Sequence, residues 1–419
     1  MNKFNMKENK IVLFSTIILG VIVGISSMLL SLLLDGIEQL FLNFQESDLQ
    51  SAAVQLQPLQ RLFSVFLGGI IASVIWWFIR TQCHRTVSVA NALSKRKMPP
   101  LETLINVITQ IFFVGTGGSV GRELAPREAG AMLAQQWNQL LARFSLQLST
   151  DNQKLLIAAA AGAGFAGVYS APLTGMLFCC EVLLNKVNIK TVSVSLIMSS
   201  ISTLIGMTIK GTAPYYLVGQ QKFSLFFLPF VLIVSPICGV IGVYFRKTFK
   251  WAEKNQTKNQ NILWQLPLIS LLTGIIATSF PQIMGNGRAL AQLSINAIDS
   301  NKLWLLLLGL LLKAIITVIS IRAGASGGTL TPSIAIGTAL GAVFGLIVQN
   351  FIPGIAIWQC ALIGGAGLLA ASQQAPLMAL MMIFEISHLA YTAFLPLGIG
   401  VSIAVGISKF ILKLEIQHY

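Results

Sequence analysis

Gly117-Gly118-Ser119-Val120-Gly121-Arg122-Glu123-Leu124-Ala125-Pro126-Arg127-Glu128 places two arginines and two glutamates in surroundings that are almost entirely apolar. The stretch follows the apolar run 104–114 and leads into 129–134, which sets it at membrane depth. Charge at that depth is costly and marks function by default. The glycines allow close backbone packing and unusual dihedral angles. The residues after Glu123 read as a helix start, with Pro126 tolerated in the first turn. A helix that begins inside a membrane aims free N–H groups and the positive end of its dipole at whatever binds there. The expected ligand is an anion.

Composition sets the class. The chain of 419 residues is 55% hydrophobic and only 10% charged, whereas a soluble domain is roughly a quarter charged. Mean hydropathy is +0.77. These values describe an all-α polytopic membrane protein lying in a lipid bilayer. The net charge of +14 sits in loop clusters beside apolar runs, the pattern of membrane topology. Aromatic and basic residues are not interleaved as base stacking requires, so no nucleic-acid partner is expected. Of the five cysteines, Cys179, Cys180, Cys238 and Cys360 lie in apolar segments and read as small core residues, while Cys83 lies outside them. None forms a metal-ligand spacing, so neither a metal nor a cofactor is expected.

Along the chain, Lys3, Lys7 and Lys10 precede the apolar run 11–34. That run is too long for the core of a signal peptide and reads as a retained first helix begun from the cytoplasm. A polar connection, 47–60, leads to a second crossing at 62–79, after which Arg80, Arg85, Lys95, Arg96 and Lys97 return to the same side. A polar amphipathic segment, 135–153, precedes an Ala/Gly-rich helix over 155–168, a composition that permits close helix contacts in lipid. Apolar spans follow at 192–209 and 223–244, then a basic loop holding Arg246, Lys247, Lys250, Lys254 and Lys258. Further apolar runs at 263–280, 303–321, 333–348, 357–371, 377–384 and 394–412 complete the pattern. Several fall short of the ~20 residues a full crossing needs, which predicts broken helices around a midplane site.

An internal repeat organises these segments. Ala171-Pro172-Leu173 recurs as Ala375-Pro376-Leu377, each proline followed nine residues on by a glutamate, Glu181 or Glu385. Pro126 precedes Pro172 by 46 residues and Pro332 precedes Pro376 by 44. Gly327-Gly328-Thr329-Leu330-Thr331-Pro332 therefore stands in the second half where Gly121–Pro126 stands in the first. Two such helix starts are expected to converge near the middle of the bilayer.

On these motifs the sequence resembles the CLC family of chloride channels and proton/chloride exchangers, in its prokaryotic, membrane-domain form, from about Val12 to Lys413. The family pattern GREGP is matched by Gly121-Arg122-Glu123-Leu124-Ala125-Pro126, with the proline one place late, and GxFxP by Gly328-Thr329-Leu330-Thr331-Pro332. Asn286-Gly287 before Arg288 resembles the glycine-rich element that opens the second half. The resemblance implies a single transmembrane domain over 1–419, built as an inverted repeat with broken, tilted and re-entrant helices. The pseudo-repeats would span about 11–210 and about 223–413, with no cytoplasmic regulatory domain. It implies a homodimer with one anion pathway per subunit, in a bacterial inner membrane. Gly121, Arg122, Glu123, Leu124, Gly328, Thr329 and Leu330 would bind the anion, and Glu123 would be the gate.

A carboxylate aimed at an anion-binding helix end occupies the site itself, and protonation frees it. The alternative for Glu123 is a structural ion pair with Arg127, one helical turn on. The chain also departs from the family. Val182 stands where the family's inner proton-transfer glutamate usually lies, which favours channel-like or weakly coupled behaviour. Glu181 and Glu385 read as structural. The serine of the family's GSGIP motif is missing, and His84, Thr86 or Ser88 are the candidates to donate to an inner anion site. Tyr419, the last residue, is the nearest match to the family's pore tyrosine. The expected function is a glutamate-gated path for chloride and other small anions, with a proton/chloride or fluoride antiporter as the alternative. A repeat-built transporter of an organic anion is the competing class, and the matched Gly-rich helix starts, suited to a small bare anion, weigh against it. Without an HExxH-like set among His84, His388 and His418, or a base for Ser119, no enzyme activity is expected.

Overall fold

The computed structural model describes residues 3–44, 56–223, 227–298, 300–349, 351 and 355–417. Among them the first half of the chain forms α1 (Lys3–Leu42), α2 (Pro58–Gln82), α3 (Val89–Leu93), α4 (Pro100–Gly115), α5 (Leu124–Arg143), α6 (Thr150–Tyr169), α7 (Pro172–Leu177) and α8 (Ile189–Lys210). The second half forms α9 (Leu228–Lys254), α10 (Ile262–Ser279), α11 (Arg288–Ile295), α12 (Leu303–Arg322), α13 (Leu330–Val348), α14 (Ile357–Gln373), α15 (Pro376–Ile386) and α16 (Phe394–Gln417). The protein is all-α. Among the described residues, eight helical stretches are long and apolar enough to cross a membrane, from Lys7–Leu42 to Tyr391–Leu414.

The two series run in the same order: two long helices, a short one (α3, α11), a longer one (α4, α12), then the helices α5 and α13 that follow the glycine-rich stretches. Their breaks match in detail. Ser170 (φ 54°) and Gln374 (φ 58°) end α6 and α14 in the left-handed conformation. Ala171 and Ala375 then turn the chain, and Pro172 and Pro376 start the next helix. Proline in a first turn loses no helical hydrogen bond, so the same Ala-Pro pair makes the same corner twice.

Two compact units emerge, and neither is a continuous half of the sequence. The first comprises Met1–Leu33, Phe78–Ile111 and Glu123–Ala213; the second comprises Leu34–Trp77, Phe112–Arg122 and Pro214–Tyr419. In the first, α6 is buried throughout from Leu155 to Tyr169. Its small residues let neighbours approach at backbone distance: a Cβ on Gly130 of α5 would meet the Ala160 carbonyl, and one on Gly206 of α8 the Gly167 carbonyl. In the second unit α14 holds the same place. A Cβ on Gly364 would meet the Gly337 carbonyl of α13, and one on Gly242 of α9 the Ala371 side chain. In lipid such contact replaces the hydrophobic effect as the force between helices.

Two segments differ from the sequence reading. The polar residues 135–153 are not one amphipathic element: α5 runs on to Arg143 and α6 begins at Thr150. Gln135 lies on the buried side of α5, where its amide donates to the Arg96 carbonyl (2.9 Å) and accepts from the Met98 N–H (2.6 Å). The basic residues after 244 continue α9 to Lys254 instead of forming a loop. Cations in a last helical turn complement the helix dipole, and Arg246 also donates to the Ser372 carbonyl at 2.6 Å.

Candidate functional site

In the second unit the loop 117–122 is tied down at both ends. Gly117 takes φ +103°, a conformation that strains any side chain, and its carbonyl accepts from the Gly285 N–H at 3.1 Å. Further on, Gly121 and Gly328 form an antiparallel backbone bridge, N–H to carbonyl in both directions at 2.9 and 2.8 Å. The two glycine-rich motifs, from opposite halves of the sequence, therefore meet backbone to backbone. Two residues past Gly328, α13 begins at Leu330. Thr329 precedes it and makes no side-chain capping bond to the helix. Its hydroxyl accepts from the Gln373 amide at 3.4 Å. Leu330 is buried at the first position of α13.

Buried cations surround this loop within the unit. Lys313, 0% exposed, reaches from the middle of α12 and donates to Ser119 Oγ (2.9 Å), the Ile283 carbonyl (3.0 Å) and the Gly285 carbonyl (2.6 Å). An ammonium has three N–H donors, and here each has a partner. Arg122 and Arg288 are also buried and lie over the ring of Tyr215, at 5.5 and 4.3 Å from its centroid. Tyr215 is held by its carbonyl, which accepts from Arg288 Nε, and by its hydroxyl, which accepts from the Asn286 amide at 2.8 Å. Beside Arg122 lies an open cavity of about 40 Å³, lined in part by Glu38, Gly117, Gly285 and Asn286. Such a volume holds a few waters or a bare ion. The surplus of buried positive charge draws anions toward it.

In the first unit Glu123 is 0% exposed and immediately precedes α5. Its carboxylate makes no capping bond to the first turn of that helix. Arg127 Nε donates to the Glu123 backbone carbonyl at 2.7 Å, and the guanidinium lies 5.0 Å from the centre of the Phe178 ring. Phe178 opens a π-helical turn, Phe178–Leu183, that contains Glu181 and Val182. The start of α5 rests on Gly164 of α6, where a Cβ would meet the Pro126 carbonyl. Gly164→Ala is therefore expected to cost about 1–3 kcal/mol through overpacking against rigid backbone. The midpoint of thermal unfolding, measured by fluorescence-detected size exclusion, should fall and anion flux with it.

The other predicted site residues fall in different places. His84 is on the surface, its side chain 88% exposed and its Nδ1 3.0 Å from Glu102 Oε1. Ser88 caps α3, accepting from the Asn91 N–H. Because exposed pairs of this kind are worth ~0–1 kcal/mol, His84→Ala is expected to leave anion efflux from liposomes within about twofold of wild type. Leu124 is half-buried at the head of α5, and Val182 is 37% exposed. Tyr419 lies outside the described residues. Sequence reasoning passed over Lys313, although a single lysine inside the apolar run 303–321 is itself a signal of function. It also passed over Tyr215, which carries no sequence signal.

The family described as "Voltage gated chloride channel" matches residues 68–409 of the chain. The voltage-gated ClC-type chloride channel ClcB of Salmonella typhi is 28% identical over 365 residues, 84% of this chain and 85% of that protein. ClcB of Escherichia coli O81 (strain ED1a) is 29% identical over 362 residues, covering 84% of each chain. In fold the chain resembles a slow cyanobacterial Cl-/H+ antiporter, with TM-score 0.80 and 20% identity over 96% of this chain and 94% of the other. It also resembles a CLC-type fluoride/proton antiporter, with TM-score 0.67 and 20% identity over 98% and 97%.

Proposed function

The chain belongs to the voltage gated chloride channel (CLC) family, and from that membership we propose that it passes chloride and other small anions across a membrane with Glu123 as the gate. One observation carries the assignment of the gate. The Glu123 carboxyl group is fully buried at the start of α5, two residues past the backbone bridge at Gly121. Deprotonated, it is an anion at the place where an anion binds. Protonated, it is neutral and gives up that place. In this reading Gly121, Arg122, Leu124, Gly328, Thr329 and Leu330 are the anion-binding residues, and the backbone pairing of Gly121 with Gly328 inside the second unit supports it. The cavity beside Arg122, about 40 Å³, has room for a bare ion or a few waters.

Passive flow and proton-coupled exchange both use such a gate. Anion efflux from liposomes carrying the purified chain, with proton movement recorded at the same time, separates them. A chloride gradient that drives protons uphill at a fixed ratio marks an antiporter, and flux without proton movement marks a channel. No small-anion flux from folded protein would overturn the proposal. We also read the chain as a homodimer of inverted pseudo-repeats, about 11–210 and about 223–413, in a bacterial inner membrane. The matching corners at Ser170–Pro172 and Gln374–Pro376 support the repeat. A cytoplasmic N-terminus is supported by Lys7 and Lys10 at the head of α1 and by Arg80 at the end of α2.

A further inference from the structure

Glu128 is a second buried acid, 7% exposed and five residues along α5 from Glu123. Five residues of helix are about 7.5 Å of rise and about 140° of net rotation, so the two carboxyl groups point to different faces. Glu128 faces α4, where two neutral amides meet the same oxygen: Asn106 Nδ2 donates to Oε2 at 2.9 Å and Gln110 Nε2 at 2.8 Å. Asn106 and Gln110 are four apart, one turn of α4, and both are buried. The charged groups that act on Glu128 are Arg127 on its own helix and Arg80 at the end of α2.

The amide of Gln110 supplies the second observation. Its Oε1 is buried and has no hydrogen-bond partner among the described residues. A buried acceptor left unmade is costly, yet this one sits on the side chain that clamps a titratable group. With Glu128 charged, the amide offers its N–H. With Glu128 protonated, rotation of the amide about its terminal torsion offers Oε1 to the new O–H. The pocket therefore has a hydrogen-bonded arrangement for each protonation state, where a purely structural carboxylate needs only one.

We propose that Glu128, with Asn106 and Gln110, is a second proton-binding site of the transport cycle, distinct from Glu123. A hydronium ion gives its proton to a carboxylate oxygen of Glu128 and leaves as water, and the carboxyl group returns the proton to water when the site discharges. This rests on the reading of Glu123 as the gate, since a second proton site has a role only where protons accompany the anion.

Infrared difference spectra of the purified full chain, between acidic and alkaline buffer, test the protonation directly. The C=O stretch of a protonated carboxylic acid should be present in wild type and in Glu123→Gln, and lost in part in Glu128→Gln. Asn106→Leu removes one donor to the charged form and should raise the midpoint of that band by about one pH unit. In liposomes, chloride-driven proton movement should fall at least about tenfold in Glu128→Gln, the scale of one pH unit in a proton equilibrium. A Glu128→Gln spectrum that superimposes on wild type, or an Asn106→Leu midpoint that does not move, overturns the proposal. So does proton movement that is absent in wild type or unchanged in Glu128→Gln. Failure of the gate reading appears separately, as chloride efflux that stays pH-dependent in Glu123→Gln.

Discussion

Glu123→Gln is expected to abolish the pH dependence of anion flux. In wild type, flux should rise as the medium is acidified, because each protonated Glu123 is one blocking charge removed from the anion's path. Glutamine keeps the volume of the carboxyl group and cannot ionise, so it imitates the protonated gate at every pH. At neutral pH the variant should pass anions faster than wild type. At low pH the two should coincide. Proton movement, where wild type shows it, should fall at least about tenfold, because the side chain that carries the proton is gone. The measurement is chloride efflux from liposomes across a pH series, with size exclusion to confirm that the variant is folded. A Glu123→Gln profile parallel to wild type would remove Glu123 from the gate and leave it the ion-pair role with Arg127.

Lys313→Met is expected to act mainly on the folded state. Methionine matches the length of the stem but leaves Ser119 Oγ and the Ile283 and Gly285 carbonyls without the donor they share. Orphaning a buried polar group costs ~1–3 kcal/mol, so three of them amount to a large part of the about 5–15 kcal/mol by which proteins are stable at all. A drop in the unfolding midpoint on the order of 10 °C follows. The surviving protein should also carry less anion flux, since a buried positive charge beside the loop 117–122 is lost. Lys313→Arg restores the charge, but Gly287 packs against Lys313 Cε and leaves little room for a guanidinium. That variant should recover part of the flux and less of the stability. Wild-type melting and flux in Lys313→Met would show that the ammonium neither holds the loops nor attracts the anion.

The corners at Ala171-Pro172 and Ala375-Pro376, and the helix starts after Glu123 and Thr329, were readable from residue order. Proline and glycine act on the backbone within a turn or so, and apolar periodicity reports the surroundings of each helix directly. The misplaced end of α9 shows the limit of that reasoning. Basic residues 246–254 carry the composition of a loop, yet they stay helical, with Phe249 and Ala252 buried and Arg246 donating to the Ser372 carbonyl far away in sequence.

Membrane class, and the helix starts and corners marked by glycine and proline, are thus properties of the sequence by itself, since each depends on residues within about one helix of one another. The tertiary structure alone decided that Gly121 pairs with Gly328, that His84 turns outward to Glu102, and that Lys313 and Glu128 find their partners on other elements. A buried polar group must be satisfied by whatever packing brings near it, and packing joins segments that the sequence keeps apart.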